Sequence, residues 1–290
     1  MSIKEYVPIP EEYKTPAEHQ GRLENFYYRN ADEEKQAWVY LPYGYDDSSE
    51  RYDIIYMMHG GSDNSSDYMG TETEPNELKT AVDHLIENGE IKPVILVMPT
   101  FYPNGNEDVS VENSYRLVKL FPKEFTDHLM PAAEKKYRTY AESTDRQGLI
   151  SSREHRAFGG FSMGGVTTWY IFLEAMEYVS TFIPESGDCW VYERLGGRTH
   201  ADETAAKLAD TVSEKGYTPK DFRIFAATGS EDIAYPQLDA QIEAMKKLSD
   251  TFIYDGDGEN LSYIVAEGCT HWYVPVRQYF FDILRIGYGK

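Results

Sequence analysis

Short apolar runs alternate with stretches of helical spacing along most of this chain, and that alternation limits the fold more than any other feature. Residues 37–41 (AWVYL), 53–59 (DIIYMMH), 93–98 (PVILVM), 156–160, 179–183, 222–227 and 261–266 read as strands. The 93–98 run is apolar at nearly every position, as a strand buried on both faces must be. Between them, residues 77–88 place Leu78, Val82, Leu85 and Ile86 on one helical face. Helical spacing also marks 114–137, 163–176, 236–248 and 276–284, with interruptions expected near Pro122 and Pro131. Strand and helix taking turns to the end predict an α/β fold with a mostly parallel central sheet covered by helices on both faces.

Residues 1–22, punctuated by Pro8, Pro10 and Pro16, read as an extended N-terminal arm. Residues 23–290 carry no linker signal and are expected to form a single catalytic domain. Residues 189–220 are extra material between two strands, a candidate wall or cap over a site. Residues 1–10 (MSIKEYVPIP) lack an apolar signal-peptide core and a small-residue cleavage site. Two expectations follow, a cytoplasmic chain or a mature secreted form with its leader removed.

Charge narrows the partners. With 28 Lys and Arg against 49 Asp and Glu, the net charge is −21. That field repels nucleic-acid phosphates and anionic lipid heads, so neither is an expected partner. No run of about 18 apolar residues is present to span a membrane. Cys189 and Cys269 are too few for a disulfide framework or a zinc cluster, although an approach between the two stays open. The run 255–260 (DGDGEN) lacks the spacing of a calcium loop and reads as a polar turn.

Gly160-Phe161-Ser162-Met163-Gly164 fits G-x-S-x-G between a short strand and a helix. That setting puts a serine on a sharp turn with its hydroxyl exposed, and the turn needs small neighbours. A serine hydroxyl is a weak nucleophile and requires a base. Of the seven histidines, His84 and His128 sit in helical stretches, His19 in the arm, His155 before the serine strand and His200 in the insertion. His59 ends a strand and is expected to shape its loop. His271 follows the last strand in a loop, EGCTHWY, where a general base would stand at the carboxyl end of the sheet. The third member should be a carboxylate between serine and histidine in chain order. Glu231 and Asp232 follow the strand at 222–227. The shorter Asp232 is preferred for holding an imidazole Nδ1–H, with Asp188 as the alternative. An oxyanion hole needs two backbone N–H groups, expected from Met163 and from Gly61 in the His59-Gly60-Gly61-Ser62 turn. None of these roles calls for a metal or an organic cofactor.

The runs YLPYGYD (40–46), MMHGG (57–61), YAEST (140–144), FGGFSMGGVTTWY (158–170), FAATGSEDIAY (225–235), QIEAM (241–245) and THWY (270–273) resemble the feruloyl esterases of carbohydrate esterase family 1. The resemblance is nearest to the esterase modules joined to clostridial xylanases, and it extends over nearly all of the chain beyond the arm. It implies an α/β-hydrolase fold and a serine carboxylesterase that hydrolyses ferulate esters of plant arabinoxylan or its oligosaccharides. Position by position, it puts the nucleophile on Ser162, the acid on Asp232 and the base on His271. It also puts an aromatic beside the phenolic ring at Trp190. Two positions depart from the family: it has glycine at Ser62 and an aromatic at Cys189. Trp190, Trp272 and nearby tyrosines would form an aromatic wall that favours a planar phenolic acyl group over acetate. An acetyl-xylan esterase, another acyl hydrolase or acyltransferase, and a catalytically silent sugar-binding protein are the alternatives.

Overall fold

The computed structural model describes residues 6–105 and 108–289. Its centre is one eight-stranded sheet. The strands are β1 (Arg22–Asn30), β2 (Glu33–Leu41), β3 (Asp53–Met58), β4 (Val94–Met98), β5 (Arg156–Phe161), β6 (Thr181–Glu185), β7 (Arg223–Gly229) and β8 (Leu261–Ala266). Their spatial order is β1-β2-β4-β3-β5-β6-β7-β8. From β4 to β8 every neighbouring pair is parallel, whereas β2 runs antiparallel to both β1 and β4. With its helical layers this is the α/β-hydrolase arrangement. The chain passes from β3 to β4 on one side and returns to β5 on the other. A crevice is therefore left at the carboxyl ends of the strands.

Strand side chains point alternately to the two faces, and the core divides accordingly. Ile54, Tyr56 and Met58 of β3 meet α2 (Val111–Glu124), α3 (Met130–Lys136), α5 (Met163–Ala175), α6 (Ala201–Glu214) and α7 (Tyr235–Lys246) in one layer. Ile55 and Met57 meet α1 (Glu77–Glu87) and α8 (Tyr273–Gly287) in the other. A short α4 (Arg146–Ser151) precedes β5. No helix among the described residues is long and apolar enough to cross a membrane.

Three local expectations are corrected. Residues 22–30 form a strand where the apolar pattern predicts none. RLENFYYRN buries Leu23, Phe26 and Tyr28 among charged neighbours, so its alternation is irregular. The expected arm is laid against the body over its described part. Ile9 and Ala17 are buried, Val7 N–H donates to Asp282 Oδ2 at 2.8 Å, and Gly21 N–H donates to Asp83 Oδ1 at 2.8 Å. Asp83 and Asp282 are fully buried carboxylates that need such donors. The 114–137 helix begins earlier, at Val111, and runs through Pro122. The disturbance comes one turn later, as a π-helical turn at Phe125–Leu129 before α3.

Arg156, at the base of β5, is 1% exposed and forms an ion pair with Glu134 of α3. It also donates to Leu149 O at 3.0 Å and Ser152 Oγ at 2.9 Å. Removing one partner of such a pair strands the other charge in the core. Glu134→Ala is therefore expected to cost about 3–5 kcal/mol in urea unfolding. A loss below about 1 kcal/mol would mean that water reaches the guanidinium.

Candidate active site

The sheet register assembles the site. Met58 of β3 pairs with Gly160 of β5, so His59-Gly60-Gly61 and Phe161-Ser162-Met163 leave the sheet side by side. Phe161 pairs with Glu185, which brings residues 186–188 out beside the serine. Gly229 pairs with Ala266, so the loops after β7 and β8 are neighbours. Glu231 N–H donates to Cys269 O at 3.1 Å and ties those two loops together.

Ser162 stands between β5 and α5 with φ 55° and ψ −113°, a conformation strained for any L-residue. Its N–H donates to Glu185 O at 2.9 Å, and its carbonyl accepts Val166 N–H at 2.9 Å. A Cβ at Gly160 or at Gly164 would overlap the Met58 carbonyl oxygen, so the turn is pressed against the end of β3. Ser162 Oγ lies 2.8 Å from His271 Nε2, and His271 Nδ1 lies 2.7 Å from Asp232 Oδ1. Asp232 is buried, and the same oxygen accepts Ala234 N–H at 2.7 Å. The imidazole packs against Phe161 with centroids 4.6 Å apart. Glu231 is exposed, and Asp188 bonds elsewhere, to Trp190 Nε1 and Gly197 N–H, each at 2.8 Å.

The His59–Ser62 turn is held from behind. Burial pushes the His59 pKa down to about 4, so the ring is neutral. Its Nδ1 faces Gly60 O at 2.7 Å and must carry the proton, because a carbonyl only accepts. Its Nε2 then accepts from Thr100 Oγ1 at 2.7 Å. Gly60 N–H donates to the Tyr273 hydroxyl at 3.1 Å, and Ser62 N–H donates to the Tyr102 hydroxyl at 3.0 Å. Gly61 lies between these two anchored peptides and lines the cleft. Met163 opens α5, where its N–H is beyond reach of any carbonyl in its own helix. Ser62 has φ 67°, in the region that glycine adopts without strain.

Beside Ser162 and His271 lies a cleft of ≈360 Å³ whose walls include Val109, Val111, Val166, Trp190, Leu195 and Ile233. Trp190 and Leu195 come from the 189–220 insertion. Four of these apolar residues are themselves exposed, Ile233 by 75%, so the mouth is apolar. Trp190 is buried apart from its cleft face. The Tyr170 hydroxyl donates to its carbonyl at 2.9 Å, and the Tyr115 ring meets the indole edge-on at 5.4 Å. Trp272 departs from expectation. It is 64% exposed and is not among the cleft-lining residues. The chain turns sharply at His271, where Trp272 N–H donates to Thr270 O at 2.9 Å, before Trp272 leads into α8. Cys189 and Cys269 are both free and lie in different layers. Burial pushes the Cys189 thiol up to about 12, leaving it unreactive. Among the described residues no cluster of three or more His, Cys, Asp or Glu could hold a metal. Of the tyrosines that anchor the turn, Tyr273 ends the THWY run, but no local pattern marks the anchoring role of either among 24 tyrosines.

The chain matches the model of the Esterase family, described as "Putative esterase", over residues 30–259. It is 41% identical over 285 residues to endo-1,4-beta-xylanase Y of Acetivibrio thermocellus, covering 98% of this chain and 24% of that protein. The chain thus spans about a quarter of the length of the curated relatives it matches. Among solved structures, a serine-to-alanine mutant of the feruloyl esterase module from Clostridium thermocellum, complexed with sinapinate, superposes with a TM-score of 0.86. That module is 39% identical, and the match covers 98% of this chain and 94% of that one. A ferulic acid esterase of carbohydrate esterase family 1 from Anaeromyces mucronatus, in complex with ferulic acid, shares the fold at 19% identity. Its TM-score is 0.67, with 96% of this chain and 95% of that one covered.

Glu185, which holds the Ser162 N–H through its carbonyl, also carries a fully buried side chain. Burial pushes its pKa from 4.5 to about 8, against the lowering effect of the Tyr68 hydroxyl that donates to Oε2 at 2.8 Å. Between those values the folded state holds a proton that the unfolded state has lost, so stability falls as pH rises from 4.5 to about 8. Glu185→Gln retains an acceptor for Tyr68 and removes this linkage. Urea unfolding at pH 5 and pH 8 should show a drop in the wild type that is smaller in the variant, by up to a few kcal/mol. Equal drops in both proteins would place the Glu185 proton elsewhere.

Proposed function

The chain belongs to the Esterase family, and from that premise we propose that it is a serine carboxylesterase acting on ferulate and related hydroxycinnamate esters of arabinoxylan or its oligosaccharides. The observation that carries this reading is a strained serine linked through His271 to Asp232, opening onto an apolar cleft with an indole in its wall. The similar module with sinapinate supports the same acyl class.

In the proposed mechanism His271 accepts the Ser162 proton as Oγ attacks the ester carbonyl. The tetrahedral oxyanion is received by the N–H groups of Gly61 and Met163. As the bond from the acyl carbon to the sugar oxygen breaks, His271 gives the proton to that oxygen, releasing the sugar alcohol and leaving an acyl-enzyme. Water, deprotonated by the same imidazole, then releases the hydroxycinnamic acid. Asp232 keeps the Nδ1–H donor aligned and stabilises the imidazolium as it forms. The anchored turn matters because donors already aimed at the oxyanion need no reorganisation in the transition state. Trp190 offers its cleft face to the planar acyl ring and keeps water from it.

Ser162→Ala and His271→Ala are each expected to lower kcat on methyl ferulate by on the order of 10⁴ or more with folding intact. Asp232→Asn should be severely impaired through the wrong histidine tautomer. Near wild-type turnover in Asp232→Asn would remove Asp232 from the mechanism.

Substrate class is read with a panel of methyl ferulate, p-coumarate, sinapate and acetate. The cinnamoyl esters should be preferred. Trp190→Ala should lower kcat/KM for methyl ferulate more than for methyl acetate, by about two- to tenfold for a contact of roughly 0.5–1.5 kcal/mol. A wild-type preference for acetate would sink the hydroxycinnamoyl reading.

A further inference from the structure

Asp188 is the carboxylate that chain order allowed as the acid and that the mechanism leaves unused. It is 1% exposed and lines the cleft, yet it does not bond to His271. Its Oδ1 accepts the indole N–H of Trp190 at 2.8 Å, and its Oδ2 accepts the backbone N–H of Gly197 at 2.8 Å. These donors stand at the two ends of the turn 190–197, which brings Arg194 and Leu195 to the cleft. The turn is tightly closed. Leu195 has φ 59°, and a Cβ at residue 197 would lie 2.8 Å from Asp188 Cβ and 2.9 Å from Oδ2. At the other end, the carbonyl of Trp190 accepts from the Tyr170 and Tyr115 hydroxyls at 2.9 and 3.3 Å. The indole is thus fixed at its ring nitrogen and at its backbone.

A buried carboxylate is a costly way to fill space, and burial raises the pKa of Asp188 despite both donors. An apolar side chain would pack at lower cost but would accept neither N–H. A planar acyl group gains most from a wall that is rigid before it arrives, because ordering that wall on binding would offset the stacking.

We infer that Asp188 is a positioning residue for acyl selectivity, clamping the Trp190 indole and the 190–197 turn into one pre-organised wall of the cleft. The inference rests on the hydroxycinnamoyl-esterase reading above.

The test is a double-mutant cycle of Asp188→Asn and Trp190→Phe, assayed on methyl ferulate and methyl acetate, which share a leaving group. The carboxamide introduced by Asp188→Asn could accept one of the two N–H groups but would present its own NH₂ to the other. Asp188→Asn should lower kcat/KM for methyl ferulate several-fold more than for methyl acetate, within the about two- to tenfold expected for loss of the indole it positions. In the Trp190→Phe background, where no indole N–H exists, the added loss of selectivity should shrink to about twofold or less. The difference in tryptophan emission between proteins with and without Trp190 should also shift and become more quenchable in Asp188→Asn. Equal losses on both esters, or fully additive losses in the double variant, overturn the inference. If Asp188→Asn does not fold, Trp190→Phe alone decides, and unchanged ferulate selectivity in that variant overturns it. Failure of the underlying reading looks different, as a wild-type enzyme that does not turn over methyl ferulate at all.

Discussion

A serine forced into a left-handed turn is the constraint on which the rest of this structure depends. At φ 55° and ψ −113° Ser162 is held at a local energetic cost, and the surroundings must over-determine it. They do so sterically and through the backbone. Gly160 and Gly164 let the turn press against the Met58 carbonyl, where any side chain would collide. The Ser162 N–H is bound by Glu185 and its carbonyl by Val166. The close approach to β3 has a further effect. It brings the His59–Ser62 turn beside the serine, where a Cβ at Gly60 would lie 3.4 Å from Ser162 Cβ.

Most of the fold could be read from the chain because its parallel strands are buried on both faces. Burial of that kind leaves uninterrupted apolar runs such as VILVM, and these separate clearly from the helical spacing of 77–88. The first strand carries no clear apolar pattern because it lies at the edge of the sheet. Only one of its flanks is paired, and Arg22, Glu24 and Arg29 interrupt its pattern. The docking of the arm is hidden for a related reason. Prolines argue for extended backbone but say nothing about whether that backbone is docked. Docking here was decided by Asp83 and Asp282, far away in sequence, which require donors.

The candidate site divides in the same way. That Ser162, His271 and Gly61 meet at one cleft follows from short motifs placed after apolar strands, since strand ends fix where loops emerge. The tyrosines behind the turn were not legible. Tyr102 and Tyr273 act through hydroxyls that reach a backbone N–H across 40 and 213 residues of sequence, and no local pattern encodes such a contact. Trp272 shows the opposite error. An aromatic beside a candidate histidine reads as part of the cleft wall, yet Trp272 is exposed and outside the cleft lining, because the chain turns at His271, where Trp272 N–H closes onto Thr270 O.

The two aspartates show how far chemistry alone reaches. Asp188 and Asp232 both follow a parallel strand, both are buried, and both precede His271 in the chain. What separates them is the donor that each meets. The β7–β8 pairing sets the Asp232 loop against the histidine loop, so its Oδ1 finds the imidazole. The β5–β6 pairing sets residues 186–188 directly beside the serine, one strand nearer to it than the Asp232 loop, where an indole N–H and a peptide N–H are offered instead. A carboxylate in a buried loop accepts whatever donor the sheet register presents. Register, more than residue type, therefore assigns one aspartate to the imidazole and the other to the wall beside it.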